Sequence, residues 1–481
     1  MILKGYIFGI GYALICLLVS FVLYKLGVAK KYTRKAVHIL VGFEWVILYH
    51  YFGAGVHFLA VCILFLTLLA VAYKGRLMPM IASDADNAPG TVYYAVAMTG
   101  VAIVGCFVPE VMLPFGIGVM CTSIGDGLAG TVGQLLTKYN PKIYGEKTLF
   151  GALTNLLASA LSAYVISSVY SLDLGVVNCL MIGVLSTGLE LITPYGLDNI
   201  SVTWGTAALA YAFMYFPEIG SYLVPILVSP FIVAFVLSKK ALTKDGVIAA
   251  IALDIAVSYA FGNRGFIVLC SFFGGAIIVD KIKNRIKKEG RSESEDRDDC
   301  RNYMQVLANG MVAFIAAIAF AFTKNKIFIV PFVASLAEAF SDTVASGIGV
   351  FASKTYDPFK RRKCDSGLSG GMSLEGTLAS LVGACLISFV AYALGFVGYG
   401  LKEFLIVALC AFLGAIFDSF LGSVIQVKYK CSVCGKITER EEHCDIATEK
   451  YSGVSYIDND VVNVLSCAFS AILATILVIL I

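Results

Sequence analysis

Long apolar runs separated by short polar or basic loops recur along the whole 481-residue chain. Most of the runs last about 17–25 residues, the length that an α-helix needs to cross the hydrocarbon core of a bilayer. The alternation of apolar and polar positions that predicts membrane strands is absent from the sequence. Helices are expected because hydrocarbon cannot satisfy free backbone N–H and C=O groups. The pattern therefore predicts an all-α polytopic membrane protein with about sixteen spans. The predicted spans are residues 5–26, 36–52, 55–73, 91–108, 113–136, 150–170, 174–193, 201–216, 220–238, 246–261, 265–280, 303–322, 327–350, 373–397, 403–425 and 461–481.

The charges support this topology. The chain is 59% hydrophobic and only 14% charged, far from the balance of a soluble domain. Alternate loops, together with Lys25, hold 31 of the 36 basic residues, which places those loops in the cytoplasm and the N-terminus outside. They are residues 27–35, 74–76, 138–147, 239–244, 281–301, 354–363 and 428–450. Because the basic residues follow the topology, the net charge of +3 indicates no nucleic-acid partner.

Similar motifs occur once in each half of the chain and in the same order. The pairs are Arg34-Lys35-x-x-His38 with Arg301-x-x-x-Gln305, Asp126 with Asp342, Lys147-Thr148-x-x-Gly151 with Ser373-x-x-Gly376, and Glu190 and Asp198-Asn199 with Asp418 and Asp458-Asn459. This order predicts two homologous halves, residues 1–240 and 241–481, that arose by duplication.

Five acidic residues lie within or at the ends of apolar segments: Asp126, Glu190, Glu338, Asp342 and Asp418. Each costs at least ~2.5 kcal/mol to insert, so an intramembrane carboxylate predicts function by default. The alternative is that these residues pair with nearby Lys and Arg and only hold helices together. Carboxylates beside basic loops also suit phosphoryl or nucleotidyl transfer, in which Mg²⁺ bridges phosphate oxygens and cations neutralise the developing charge.

The segment Gly125-Asp126-Gly127-x-x-Gly130 formally matches a dinucleotide-binding motif, but no strand precedes it. The backbone N–H groups of Gly125 and Gly127 remain candidates to cradle phosphate. Gly145-Glu146-Lys147-Thr148 lacks the glycine that a P-loop needs before its lysine, which excludes a soluble P-loop kinase fold.

Cys431-x-x-Cys434 is followed by His443-Cys444 in the last predicted cytoplasmic loop. Three cysteines and one histidine form a typical structural Zn²⁺ set, and a two-residue gap lets both thiolates reach one ion. Simultaneous binding by the adjacent His443 and Cys444 is geometrically awkward. A redox pair or free cytosolic thiols are the alternatives.

The first half, residues 1–240, resembles the phytol kinase/dolichol kinase family of membrane-embedded, CTP-using isoprenoid alcohol kinases. The resemblance rests on the motifs around His38, Asp126 and Lys147, with Glu190 and Asp198-Asn199. It implies catalytic roles for Asp126, Lys147, His38 and Arg34, Mg²⁺ binding by Asp126, Glu190 and Asp198, and nucleotide contacts from Thr148 and Asn199. A structural hydrogen bond is the alternative role for His38.

The second half, residues 241–481, resembles the membrane family that includes plant phytyl-phosphate kinase. The matching segments are Gln305-x-x-x-Asn309-Gly310, Ser341-Asp342-Thr343, Gly370-Gly371-Met372-Ser373 and Asp418-Ser419-x-x-Gly422. The resemblance implies Mg²⁺ binding by Asp342 and Asp418, a catalytic role for Asp342 and Ser373, and polar contacts from Asn309 and Asn463. One position departs from that family, since Gly347 stands where an acidic residue is expected.

Together the two resemblances imply successive phosphorylation of a long-chain isoprenoid alcohol to its monophosphate and then to its diphosphate, at the cytoplasmic face, with CTP or another nucleoside triphosphate. Two alternatives remain. Phosphatidate cytidylyltransferases look similar through the Asp–Gly…Lys-Thr-x-x-Gly segment. A transporter is suggested by repeats and intramembrane acids, although the polar motifs lie beside basic loops and not at the bilayer midplane.

Overall fold

The computed structural model describes residues 1–75, 90–136, 140–289, 300–364 and 367–481. Within these ranges the chain consists of α-helices joined by short loops, with four small antiparallel sheets in the loops. It divides into two compact units, Met1–Lys239 and Lys240–Ile481. Part of the predicted cytoplasmic loop 281–301, namely residues 290–299, lies outside the described residues.

The first unit packs its helices around a core that includes Trp45, Phe58, Ile117 and Ile182, all fully buried. Its helices are α1 (Ile2–Lys25), α2 (Lys30–Gly42), α3 (Glu44–Phe52), α4 (Val56–Lys74), α5 (Gly90–Phe107), α6 (Met112–Met120), α7 (Gly127–Leu135), α8 (Leu149–Tyr170), α9 (Val176–Ile192), α10 (Asp198–Tyr215) and α11 (Leu223–Ser238). A π-helical turn, Cys121–Asp126, joins α6 to α7. Strands β1 (Lys142–Tyr144) and β2 (Lys147–Thr148) form a hairpin before α8.

The second unit is built around one central helix that packs against five others. Its helices are α12 (Lys244–Glu289), α13 (Tyr303–Thr323), the central α14 (Ile329–Gly349), α15 (Leu374–Ala393), α16 (Leu401–Val424) and α17 (Asn459–Leu480). Its strands are β3 (Tyr356–Asp357), β4 (Arg362–Lys363), β5 (Lys428–Lys430), β6 (Ile437–Thr438), β7 (Glu442–His443), β8 (Ile446–Ala447) and β9 (Glu449–Ser452). Strand β5 lies between β6 and β9, and β7 pairs with β8.

The described residues contain 12 helical segments long and apolar enough to cross a membrane. The prediction of an all-helical multi-pass membrane protein is confirmed, but the count of about sixteen spans is not. Predicted span 36–52 is broken at Phe43 into α2 and α3. Helix α9 has only 17 residues, and α10, polar in its first half, is not among the 12. Predicted spans 246–261 and 265–280 both fall within α12.

The 46 residues of α12 do not form one straight helix. Gly262 has φ 60° and ψ −149°, which no α-helix contains. A Cβ placed on Gly265 would lie 3.1 Å from the carbonyl oxygen of Val257, whereas residues eight apart in a continuous helix are separated by about 12 Å. The chain therefore folds back at Gly262, and the two predicted spans are the two arms of that bend.

One helix start occurs in the same form in both units. Thr148 precedes α8, and its Oγ1 accepts a hydrogen bond from Gly151 N at 3.4 Å. Ser373 precedes α15, and its Oγ accepts one from Gly376 N at 3.0 Å. Hydroxyl N-caps satisfy backbone donors that a helix start leaves free. The two motifs thus have the same local geometry, and their common origin stays a prediction.

The capped helices also cross a neighbouring helix in the same way. A Cβ on Gly133 of α7 would lie 3.6 Å from Gly151 Cα, and one on Gly349 of α14 would lie 3.6 Å from Gly376 Cα. Small residues let membrane helices approach closely. In each unit this crossing holds the capped helix start beside a helix that follows or carries a predicted site aspartate. Asp126 directly precedes α7, and Asp342 lies within α14.

Candidate active site

The first unit has a charged centre around Asp126, the last residue of the π-helical turn. Lys35 Nζ donates to Asp126 Oδ1 at 2.9 Å and to Oδ2 at 2.8 Å. His38 Nε2 lies 3.1 Å from the carbonyl oxygen of Thr122 and 3.5 Å from Asp126 Oδ2. Lys35 and His38 are three residues apart on α2 and share a face. Because π-helical turns are frequent at functional sites, the turn itself supports a role for this centre.

The glycines after Asp126 bring α2 close to α7. A Cβ on Gly130 would lie 2.5 Å from Lys35 Cε, and one on Gly127 would lie 2.5 Å from Ile39 Cγ1. The lysine stem therefore lies across Gly130. Gly125 faces the Ser159 side chain in the same close manner. The structure thus places Gly125 and Gly127, the predicted phosphate cradle, in buried helical backbone that packs against neighbouring helices.

A second lysine enters from the hairpin before α8. Lys147 forms an ion pair with Glu190 of α9, and its Nζ lies 3.8 Å from Asp198 Oδ2 at the start of α10. Asn140 braces the hairpin, since its Nδ2 donates to Thr148 Oγ1 at 3.0 Å. Burial lowers the pKa of Lys147, but the carboxylates of Glu190, Asp126 and Asp198 outweigh it and raise the pKa. Lys147 is therefore a permanent cation at neutral pH.

The predicted residues of the first unit thus come together, and Lys35 joins them. The side chains of Asp126, Glu190 and Asp198 are 10%, 6% and 15% exposed, whereas Lys147 is 32% exposed, so the carboxylates are largely buried and the site opens to solvent at Lys147. Charge on Arg34 acts on His38, but the hydrogen bonds to Asp126 come from the adjacent Lys35. The sequence motif contained Lys35, and its spacing to His38 was the signal that could have selected it.

Asn199 and Thr148 have local partners. Asn199 Nδ2 donates to the carbonyl oxygen of Gly196 at 2.9 Å and approaches Asp198 Oδ1 at 3.3 Å. Its Oδ1 is buried and has no hydrogen-bond partner among the described residues. Thr148 serves as the cap of α8. Both lie next to residues of the charged centre in sequence.

The second unit gathers acidic groups on α14 and α16. Glu338 and Asp342 are four residues apart on one face of α14, and Gly414 of α16 packs directly on Glu338. Asp418 Oδ2 accepts a hydrogen bond from Ser466 Oγ at 3.2 Å. Among the described residues, no lysine or arginine forms an ion pair with these three carboxylates. The second unit therefore differs from the first, whose acids are paired with lysines.

The remaining predicted residues of the second unit have these positions. Ser373 lines a cavity of about 440 Å³ together with Lys354 and Glu375. Asn463 lies on α17 and accepts a hydrogen bond from Ser466 Oγ through its carbonyl oxygen at 3.1 Å. Asn309 lies on α13, and its amide donates to the carbonyl oxygen of Gln305 in the same helix at 3.0 Å.

A buried aspartate that sequence reasoning missed organises the loop before α15. Asp357 Oδ1 accepts hydrogen bonds from Phe359 N at 3.1 Å, Lys360 N at 3.0 Å and Ser423 Oγ at 2.9 Å. Burial opposes ionisation, but these donors outweigh it and lower the pKa of Asp357. The carboxylate thereby ties the loop to the end of α16, one turn after Asp418.

The cysteine cluster is assembled in the segment between α16 and α17. The ligand atoms of Cys431, Cys434, His443 and Cys444 all lie within 4.8 Å of one another. No other set of three or more His, Cys, Asp or Glu side chains in the described residues is this close. Among the described residues, Asp126, Glu190 and Asp198 therefore do not converge to this distance, and neither do Glu338, Asp342 and Asp418.

Comparisons with known proteins identify a family and several relatives of this chain. Residues 227–471 match the family described as Integral membrane protein DUF92. A protein named phytol kinase from Synechocystis sp. is 31% identical over 202 residues, 40% of this chain and 80% of that protein. Protein VTE6, chloroplastic, from Arabidopsis thaliana is 25% identical over 300 residues, 61% of this chain and 76% of that protein. An uncharacterized membrane protein from Methanocaldococcus jannaschii is 27% identical over 215 residues, 43% of this chain and 83% of that protein. No solved structure matches the chain.

Proposed function

Since the chain belongs to the DUF92 family of integral membrane proteins, we propose that it is a membrane-embedded prenyl-lipid kinase. The first unit would phosphorylate a long-chain isoprenoid alcohol, and the second would phosphorylate the resulting monophosphate to the diphosphate. CTP is the proposed phosphoryl donor, with Mg²⁺ as its metal. Similarity to a phytol kinase supports the substrate class.

The observation that carries the proposal is the alternation of lysines and carboxylates in the first unit. Lys35 pairs with Asp126, and Lys147 pairs with Glu190 beside Asp198. Phosphoryl transfer needs cations against the phosphate oxygens and carboxylates for the metal, and little covalent chemistry from the protein. Because the carboxylates of this group are largely buried, its electrostatic contacts with the transferring phosphoryl group would be stronger than in water.

We infer that the ion pairs hold the site ready before the nucleotide binds. With a nucleotide bound, the ammonium groups of Lys35 and Lys147 would turn from their carboxylates to phosphate oxygens. Asp126, Glu190 or Asp198 could then hold Mg²⁺, which usually takes one or two carboxylates and would neutralise charge on the transferring phosphoryl group. Arg34, close enough for its charge to act on His38, is a further phosphate-binding candidate.

His38 is suited to orient or accept the alcohol proton. A carbonyl oxygen only accepts hydrogen bonds, so the contact of Nε2 with Thr122 O requires the proton to be on Nε2. The neutral ring would then have its lone pair on Nδ1, the nitrogen that could accept a proton. A purely structural role for His38 would leave the pH dependence of the first step unchanged on replacement by Gln.

For the second unit, the supporting observation is the group formed by Glu338, Asp342 and Asp418. Carboxylates in an apolar core are costly unless a cation or a proton compensates them. A Mg²⁺–nucleotide complex would supply that cation, and Ser373 with Lys354 lines a cavity in the loops before α15. Two sites in one chain would let the monophosphate remain in the same bilayer between the steps.

The test uses the purified full chain in lipid nanodiscs with phytol, geranylgeraniol, farnesol and a polyprenol. Each alcohol is incubated with Mg²⁺ and either γ-labelled CTP, γ-labelled ATP or α-labelled CTP, and the lipids are separated. We expect γ-label in a lipid monophosphate and then in a diphosphate. Label from α-CTP in the lipid would instead establish cytidylyl transfer, and absence of any labelled lipid would reject both transferase functions in favour of the transporter.

A further inference from the structure

The segment between α16 and α17 contains two turns that face each other. In the first, Cys431 directly follows β5, Gly435 N donates to Cys431 O at 2.9 Å, and Cys431 N donates to Lys436 O at 3.0 Å. Gly435 has φ +72°, which the tight return requires. The turn brings the thiols of Cys431 and Cys434 within 4.8 Å of each other.

The second turn resolves the difficulty of adjacent ligands. Strands β7 and β8 are joined by Cys444 and Asp445, with φ +54° and +59°. This is the type I′ hairpin geometry, which usually needs Gly, Asn or Asp at both positions. Side chains of consecutive strand residues point to opposite faces, but the left-handed Cys444 departs from that alternation. As a result Cys444 Sγ lies 3.1 Å from His443 Nδ1, on the same side.

The four ligand atoms all lie within 4.8 Å of one another, close enough to surround one ion. Cys434 Sγ lies 3.5 Å from His443 Nδ1. Bonds of about 2.3 Å to sulfur and 2.0–2.1 Å to nitrogen place tetrahedral ligands roughly 3.5–3.8 Å apart. None of the four residues is in a disulfide. A cysteine held at positive φ stores strain that some other interaction must compensate, and a bond to a metal is such an interaction.

We propose that Cys431, Cys434, His443 and Cys444 bind one structural Zn²⁺, and that this ion fixes the segment that holds Glu439 against the loop beside the carboxylates of the second unit. Glu439 directly follows β6 and lies between the two ligand pairs in the chain, so the metal would hold this segment on both sides. The zinc site stands without the proposed function, whereas a catalytic role for Glu439 rests on it.

Glu439 is connected to the acidic group through the loop before α15. Glu439 Oε1 accepts a hydrogen bond from Ser369 N at 2.8 Å, and Lys428 Nζ of β5 donates to Ser369 O at 2.6 Å. That loop rests on α16, because a Cβ on Gly422 would lie 3.0 Å from Ser369 Cβ. Gly422 is one turn beyond Asp418. Through Ser369 and Gly422, Glu439 is a further carboxylate on the Asp418 side of a unit that has Gly347 where an acid was expected.

The experiment measures metal and local protection on the purified full chain, grown with zinc. Elemental analysis should give about one zinc per chain, none in Cys434→Ser, and an unchanged amount in the matched control Cys300→Ser. Hydrogen exchange should be about tenfold faster or more at the Ser369 amide in Cys434→Ser, because that amide loses a charged acceptor. The exchange of α8 should not change.

Glu439→Gln separates the parts of the proposal. It should keep its zinc, lower conversion of added lipid monophosphate and leave phosphorylation of the alcohol intact. Wild-type protein without zinc, or with exchange at Ser369 independent of the metal, would overturn the zinc clamp. Zinc present with full second-step activity in Glu439→Gln would overturn the role of Glu439. Absence of kinase activity from wild type would reject the proposed function and leave the metal and exchange results to decide the clamp.

Discussion

Replacement of Asp126 by Asn tests the first-unit site most directly. The substitution keeps the shape of the side chain and removes the negative charge. In the native protein both carboxylate oxygens accept hydrogen bonds from Lys35, at 2.9 and 2.8 Å. An Asn side chain offers one acceptor oxygen, and its NH₂ group would face the lysine ammonium. One charged hydrogen bond is therefore lost, and the Mg²⁺ candidate loses its charge.

The structure sets the expected size of two effects. A hydrogen bond to a charged group contributes about 1.5–3 kcal/mol, so the free energy of unfolding should fall by no more than this amount, and the protein should remain folded. Removal of an electrostatic transition-state stabiliser lowers the rate by about 10²–10³, or about 2.7–4 kcal/mol. The loss of alcohol phosphorylation should therefore exceed what the modest loss of stability explains.

The assay compares Asp126→Asn with Asp342→Asn, its counterpart in the second unit. Each variant is given either the prenyl alcohol or its monophosphate, and both products are quantified. Asp126→Asn should fail to make monophosphate but convert added monophosphate to diphosphate. Asp342→Asn should make monophosphate and accumulate it. Thermal unfolding and gel filtration in detergent establish that each variant is folded.

One result would refute this division. If either folded variant lost both steps, the chain would have one shared site, and the assignment of one step to each unit would be wrong. Full activity of Asp126→Asn on the alcohol would remove Asp126 from the mechanism altogether.

Three further predictions concern Lys147, the packing of Gly183 and the membrane topology. Lys147→Met should reduce alcohol phosphorylation at least about a hundredfold, because Glu190 and Asp198 lose their cation. Lys142→Met in the same hairpin should keep full activity, and equal losses in the two variants would contradict the role of Lys147. Gly183→Ala should lower the free energy of unfolding by about 1–3 kcal/mol, since its Cβ would meet backbone of α8, and thermal unfolding of Gly11→Ala, which has open space, is the control. Ser221→Cys and Ser353→Cys, both at exposed positions, should react differently with an impermeant maleimide on intact cells. Mass spectrometry of the peptides should find only Ser221→Cys modified, whereas labelling of Ser353→Cys would show that the predicted topology is inverted.

The sequence alone determined the features that depend on hydrophobicity or on residues close together in the chain. Apolar runs must become helices in hydrocarbon, whatever their neighbours are, so the membrane class was predictable from hydrophobicity alone. The hydroxyls of Thr148 and Ser373 cap helices because their partners are three residues away in the chain. The Cys431-x-x-Cys434 spacing indicated a metal site for the same reason, since one turn brings both thiols together.

Where the prediction depended on length alone, it overcounted. A span needs enough continuous apolar residues, and hydrophobicity by itself does not register the break at Phe43. At Gly262 the prediction had separated two spans, and the structure bends the chain between them. Helix ends are set by backbone conformation and packing, which no hydropathy average contains.

Tertiary structure decided which polar residues meet. Arg34 and Lys35 are adjacent basic residues, and the sequence does not show which of them meets Asp126. In the structure α2 packs on Gly130, so that the Lys35 side chain reaches Asp126. Glu439 is 70 residues from Ser369 in the chain, and only the fold of the cysteine segment brings its carboxylate to the Ser369 amide. Cys444 can lie beside His443 only through a left-handed turn. Such contacts depend on helix crossings and turn conformations over long separations, and no spacing along the chain encodes them.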